Sequence, residues 1–134
     1  MKIAVSAAAA RPEAAVDGHF GRCAYFVIYD TAAQSWQAIA NPASGAGGGA
    51  GIQAAQAVVD QGVNVVVTGS LGPNAYRVLQ AAGIRCFTGA RGTVKEAVAA
   101  YEKGALKEVR DEPAPRPGMG MGRGRQMSLR KGGE

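Results

Sequence analysis

The chain has 134 residues, 47% of them hydrophobic but only 6% aromatic, and a formal net charge of +5. That length fits one domain with a real core, while no apolar run approaches the roughly 20 residues that would cross a bilayer and the N-terminus lacks the apolar stretch of a secretory signal. The two cysteines make no disulfide framework, and the basic excess belongs to residues 113–134, which carry five Lys/Arg against Glu134; a cytoplasmic protein without a nucleic-acid footprint on its body is expected.

Residues 2–6 read as a first strand, followed by a loop over 7–18. The apolar, β-branched and aromatic run 24–29 predicts a second strand, and 36–40 a third, in a hairpin with it. Asn41-Pro42 breaks that strand, and 44–51 is a Gly-rich loop. From Ala50 the period changes to 3.6, with Ile52, Ala55, Val58 and Val59 on one helical face; Gly62 is placed to end the helix. Residues 63–68 form a continuous apolar run, as expected of a strand covered on both faces. Pro73 suits a helix start, with Val78, Leu79 and Ala82 as its inner stripe and Gly83 as its stop. A short fifth strand follows over 84–87. Thr93 and Glu96 have the spacing of a capping box, and Gly104 ends the last helix. Beyond Val109 the apolar pattern disappears into Pro113, Pro115, Pro117 and a Gly/Met/Arg-rich run, so residues 1–109 form the domain and 110–134 a flexible tail.

This order, with right-handed crossovers, sends the carboxyl ends of four strands to one edge of a sheet. Loops 7–22 and 41–51 and the turns 68–74 and 88–92 collect there, together with three helix N-termini whose partial positive charge favours anions. Ligands of open α/β sheets bind at such edges.

The most informative stretch at that edge is His19-Phe20-Gly21-Arg22-Cys23, which places the single histidine four residues before a cysteine. Imidazole and thiolate suit soft and borderline metals, and two such ligands leave a coordination sphere open. The plainer reading is a strand entrance with a capping His and a packed Cys. The loop Gly45–Gly51, including Gly48, Gly49 and Gly51, has the look of a phosphate cradle but lacks the Lys-Ser/Thr of a P-loop. A metal-free phosphate- or nucleotide-binding module is therefore the alternative function. Asn74 can present its amide to the same edge. No third partner activates the Cys–His pair and no carboxylate cluster accompanies it, so no enzymatic constellation is evident. In the tail, Met119, Met121 and Met127 are thioether donors, and its Gly-Arg pairs are thin evidence for RNA contact.

His19-Phe-Gly-Arg-Cys-Ala-Tyr-Phe26, Gly49-Ala-Gly-Ile-Gln-Ala-Ala-Gln56, Thr68-Gly-Ser-Leu-Gly-Pro-Asn-Ala75, Ala82-Gly-Ile84 and Gly92-Thr-Val-Lys-Glu-Ala97, in that order, resemble the dinitrogenase iron–molybdenum cofactor biosynthesis family, which includes NifX, NafY and the C-terminal domain of NifB. The resemblance covers roughly residues 1–108. It implies an α/β, ribonuclease H-like three-layer fold with a five-stranded mixed sheet of order 3-2-1-4-5. It further implies non-catalytic carriage of an anionic metal–sulfur cluster: the iron–molybdenum cofactor, a precursor, or a related Fe–S or Mo–S cluster. His19 is the ligand carried over, with Cys23 second, and Phe20, Gly21, Arg22, Gly48, Gly49, Gly51 and Asn74 complete the expected site. Cluster donor and acceptor proteins are the implied partners, and the chain is expected to be a monomer or a weak homodimer.

Overall fold

The computed structural model describes residues 1–44 and 49–110. Gly48 and its neighbours 45–47, and the tail from residue 111, lie outside the described residues. Strands β1 (Lys2–Ala7), β2 (Tyr25–Asp30) and β3 (Ser35–Ala40) are followed by helix α1 (Ala50–Asp60), β4 (Val65–Val67), α2 (Pro73–Ala81), β5 (Arg85–Thr88), α3 (Val94–Glu102) and β6 (Lys107–Val109).

The sheet is mixed and has six strands in the order β3-β2-β1-β4-β5-β6. The expected order of five is present, and β6 adds a strand antiparallel to β5, pairing Thr88 with Lys107 and Cys86 with Val109. A three-residue Lys-Glu-Val segment carries no apolar alternation, so no strand was expected there. β1 and β4 are parallel and central, and every residue from Ile3 to Val5 and from Val65 to Val67 is buried. Coverage on both faces is why the β4 segment reads as an apolar run.

Alternation along the strands sorts the core into two layers. Ala4, Phe26, Ile28, Val66 and Cys86 face α1 and α2, whereas Ile3, Val5, Val27, Val65, Val67 and Phe87 face α3. Each fully buried Phe, Leu, Ile or Val contributes about 1.5–3 kcal/mol, so both helical layers are firmly attached. Two helical faces differ from expectation. In α1 the buried residues are Ala50, Ala54, Ala55 and Val58, and Ile52 is 46% exposed. In α2 Ala75 and Leu79 are buried and Ala82 is exposed. Alanines face inward because α1 must lie close to α2 and to the turn that carries His19.

Candidate functional site

The site is built around a short 3₁₀ turn, Phe20–Arg22. Phe20 is its anchor: 1% exposed, its ring 5.0 Å from that of Phe26. With Phe20 buried, the flanking side chains project outward, and the His19 side chain is 79% exposed. Two close backbone approaches hold the turn in place. A Cβ on Gly69 would lie 2.7 Å from Gly18 Cα, and one on Gly21 would lie 3.1 Å from Gly51 Cα. At Gly69 any side chain would force the backbone apart, and at Gly21 it would be tight against Gly51.

Hydrogen bonds fix the same segment. Ser70 donates to the Gly18 carbonyl through both its backbone N–H (2.8 Å) and its hydroxyl (2.7 Å). The Asp17 N–H donates to Ser6 O, and the Ser6 hydroxyl donates to Asp17 O at 2.7 Å beside the buried Thr68 hydroxyl. Asp17 in turn accepts the His19 backbone N–H at 2.9 Å, and its carboxylate oxygen lies 3.9 Å from His19 Nδ1.

Asn41 supports the turn from beneath. Its amide is 3% exposed, donates to the Cys23 carbonyl at 2.9 Å and the Gly21 carbonyl at 3.3 Å, and accepts from the Ala43 N–H at 2.9 Å. The sequence marked Asn41 only as a strand breaker; its place immediately after β3, one residue before a proline, was the available signal.

The resulting cleft has a volume of about 400 Å³. His19, Phe20, Gly21 and Arg22 line one side, and Gly49, Ala50, Gly51 and Ile52 another. Ser70, Gly72, Pro73, Asn74 and Ala75 close it. The N-termini of α1 and α2 both open onto it, and among the described residues no side chain caps either one. Arg22 and His19 are the lining residues that can be cationic, and no lining residue is acidic. Asn74 accepts from Arg77 at 3.0 Å, which draws a second guanidinium toward the rim. Such a cleft favours an anion of considerable size.

One expectation needs correction, and one expected ligand is placed away from the cleft. The third helix N-terminus is not part of this cleft: Thr93 and Glu96 close it with a reciprocal capping box, and Val94 N–H and Lys95 N–H donate to Ala14 O and Pro12 O. α3 packs on the opposite face of the sheet, so the turn 88–92 and the loop residues before Asp17 are drawn there. Cys23, expected as a second metal ligand, is fully buried and does not line the cleft. Its Sγ donates to Phe20 O at 3.4 Å. Burial pushes the thiol up to about 12, offset only in part by the Ala7 backbone N–H and the Asn41 amide, and the charge of Asp17 pushes in the same direction as burial. A thiol so held is protonated at ordinary pH and acts in this conformation as packing beneath the turn. Cys86, pushed up to about 12 by burial, belongs to the core under α1 and α2. Among the described residues no group of three His, Cys, Asp or Glu side chains could hold a metal ion.

The molecule is similar to known structures over nearly its whole described length. The apo form of the orange protein from Desulfovibrio gigas superposes with a TM-score of 0.77 at 37% identity, covering 81% of this chain and 92% of that one. A Thermotoga protein provisionally described as a NifB protein gives 0.71 at 30% identity, covering 83% and 98%. An uncharacterized protein of Methanocaldococcus jannaschii is 28% identical over 93 residues, 67% of this chain and 79% of its own. The family model described as dinitrogenase iron-molybdenum cofactor matches residues 1–104, and the chain belongs to that family.

Proposed function

We propose that this cleft carries an anionic metal–sulfur cluster, and that the protein is a non-catalytic carrier passing it between donor and acceptor proteins of the cytoplasm. One observation supports this most: an exposed imidazole and the Arg22 guanidinium stand over two uncapped helix N-termini, with no carboxylate among the lining residues. One imidazole cannot assemble a cluster from free ions, whereas it can anchor one that arrives with its own sulfides. Backbone N–H groups around Gly49, Gly51 and Asn74 would then donate to those sulfides. Phe20, Gly21 and Cys23 act in this reading by shaping the turn rather than by ligation. Family membership and the orange protein, whose solved state is an apo form, point the same way. We take residues 1–109 as the carrier domain, and the sheet order with one added edge strand supports a ribonuclease H-like assignment.

The test is anaerobic titration of the full chain with isolated iron–molybdenum cofactor and with synthetic Fe–S and Mo–S clusters, followed by optical and EPR spectroscopy. His19→Ala and Arg22→Ala should each weaken binding, His19→Ala by roughly tenfold or more. Equal affinity of wild type and both variants would sink the site. A thermal shift with nucleotides but with no cluster would transfer the cleft to a phosphate ligand held at the α1 N-terminus.

A further inference from the structure

The free edge of the sheet at β3 lacks the usual protection against pairing. Natural edge strands are kept short, carry Lys or Pro, or bulge. The opposite edge follows that rule: β6 has three residues, including Lys107 and Glu108, and Glu108 is tied to Arg85 at 2.9 Å and Arg110 at 3.4 Å. β3 does not. It pairs with β2 over six consecutive residues, from Tyr25 with Ala40 to Asp30 with Ser35, and among the described residues it has no neighbour on its other side in the sheet. Its sequence, Ser-Trp-Gln-Ala-Ile-Ala, contains no charge and no proline. The surrounding sequence is uncharged as well: in a chain that is 19% charged, residues 31–59 contain no Lys, Arg, Asp, Glu or His. Loss of charge is the compositional mark of a protein interface core. A groove of about 100 Å³ runs beside the strand, with Trp36, Gln37 and Ala38 on one wall and Arg11 and Pro12 on the other.

We propose that β3 pairs antiparallel with β3 of a second copy, joining two sheets across a two-fold axis. The strand is its own complement. With the axis at Gln37, Trp36 falls opposite Ala38 of the partner subunit, large against small, on the face that carries the groove. Cross-strand pairs of that kind stabilise antiparallel sheets, and like charges directly opposite would destabilise them; β3 has none to bring together. A single strand pair buries less than the roughly 1,200 Å² of a standard interface, so the dimer is weak. β3 runs parallel to β1, toward the cleft edge, and the two-fold therefore sends the two clefts to opposite edges of the joined sheet. Neither copy covers the other's His19, so association and cargo binding are independent.

Sedimentation of the full chain from micromolar to millimolar concentration tests this, alongside Gln37→Lys, an exposed position at the centre of the strand. The wild type should move toward twice the monomer mass as concentration rises, with slowed amide exchange along β3. Gln37→Lys should remain at monomer mass across the range, with the wild-type melting temperature in dilute solution. A wild type that stays monomeric throughout overturns the proposal, and so does a Gln37→Lys variant that associates as well as the wild type.

Discussion

His19, Phe20, Gly21 and Arg22 stood out in the sequence through the single histidine and the motif around it; the structure adds their alternation of exposed imidazole, buried ring, backbone contact and exposed guanidinium. The burial of Cys23 is a feature that no spacing reveals. Whether a thiol at a strand entrance faces the loop or the core depends on what packs over it, and here the turn anchored by Phe20 closes above it. Asn41 went unrecognised for a related reason, since its two carbonyl partners are 18 and 20 residues away. Its removal should nevertheless be felt at the site. Asn41→Ala leaves the Gly21 and Cys23 carbonyls and the Ala43 N–H without their buried partner, which should cost about 1–3 kcal/mol in urea unfolding. Because the same amide holds the turn that displays His19 and Arg22, cluster affinity should fall with stability, although Asn41 does not line the cleft. A variant within measurement error of wild type in both respects would show that the turn is held by Phe20 and the glycines alone.

Helix ends were more legible than helix faces. Pro73 at the first turn of α2, the Thr93–Glu96 box and the left-handed Gly62, Gly83 and Gly104 all occupy the expected places, because capping is local chemistry. The side of the sheet taken by α3 is not local. Between β5 and β6 the connection is antiparallel, so the handedness rule for parallel crossovers places no constraint on it. β6 itself is defined by partners distant in sequence: the Arg85 guanidinium donates to both Glu108 oxygens, at 2.9 and 3.0 Å. That pairing holds the Glu108 carboxyl below the usual carboxylate range. A lowered native value stabilises the fold above the unfolded pKa of about 4.3, and this contribution is lost as pH falls through the native value. The pair lies near the surface, so Glu108→Gln should cost no more than about 1 kcal/mol at pH 7. The difference between variant and wild type should then shrink as pH is lowered below about 4. Acid unfolding curves that stay parallel down to that range would remove Glu108 as the group responsible.

At the scale of the whole molecule, strand direction decides what the C-terminal segment can do. Lys107 pairs with Thr88 at the cleft end of β5 and Val109 with Cys86 farther down, so β6 runs away from the cleft. Arg110, the last described residue, therefore lies at the end of the sheet away from the cleft. Among the described residues, both core clusters are drawn from residues 3–109, and residues 113–134 hold five basic groups against one acid. For Met119, Met121 or Met127 to reach the cluster, the chain must turn back over the height of the sheet. Ordering the eight residues between Arg110 and Met119 for that return costs about 1–2 kcal/mol per residue, which one thioether contact does not offset. Truncation after Glu112 should thus leave the melting temperature unchanged. Anaerobic release of bound cluster, followed optically, should proceed at the same rate from the truncated and full-length chains. Release several-fold faster from the truncated protein would mean that the thioethers do reach the cleft, and would make the C-terminal segment part of the site despite its point of departure.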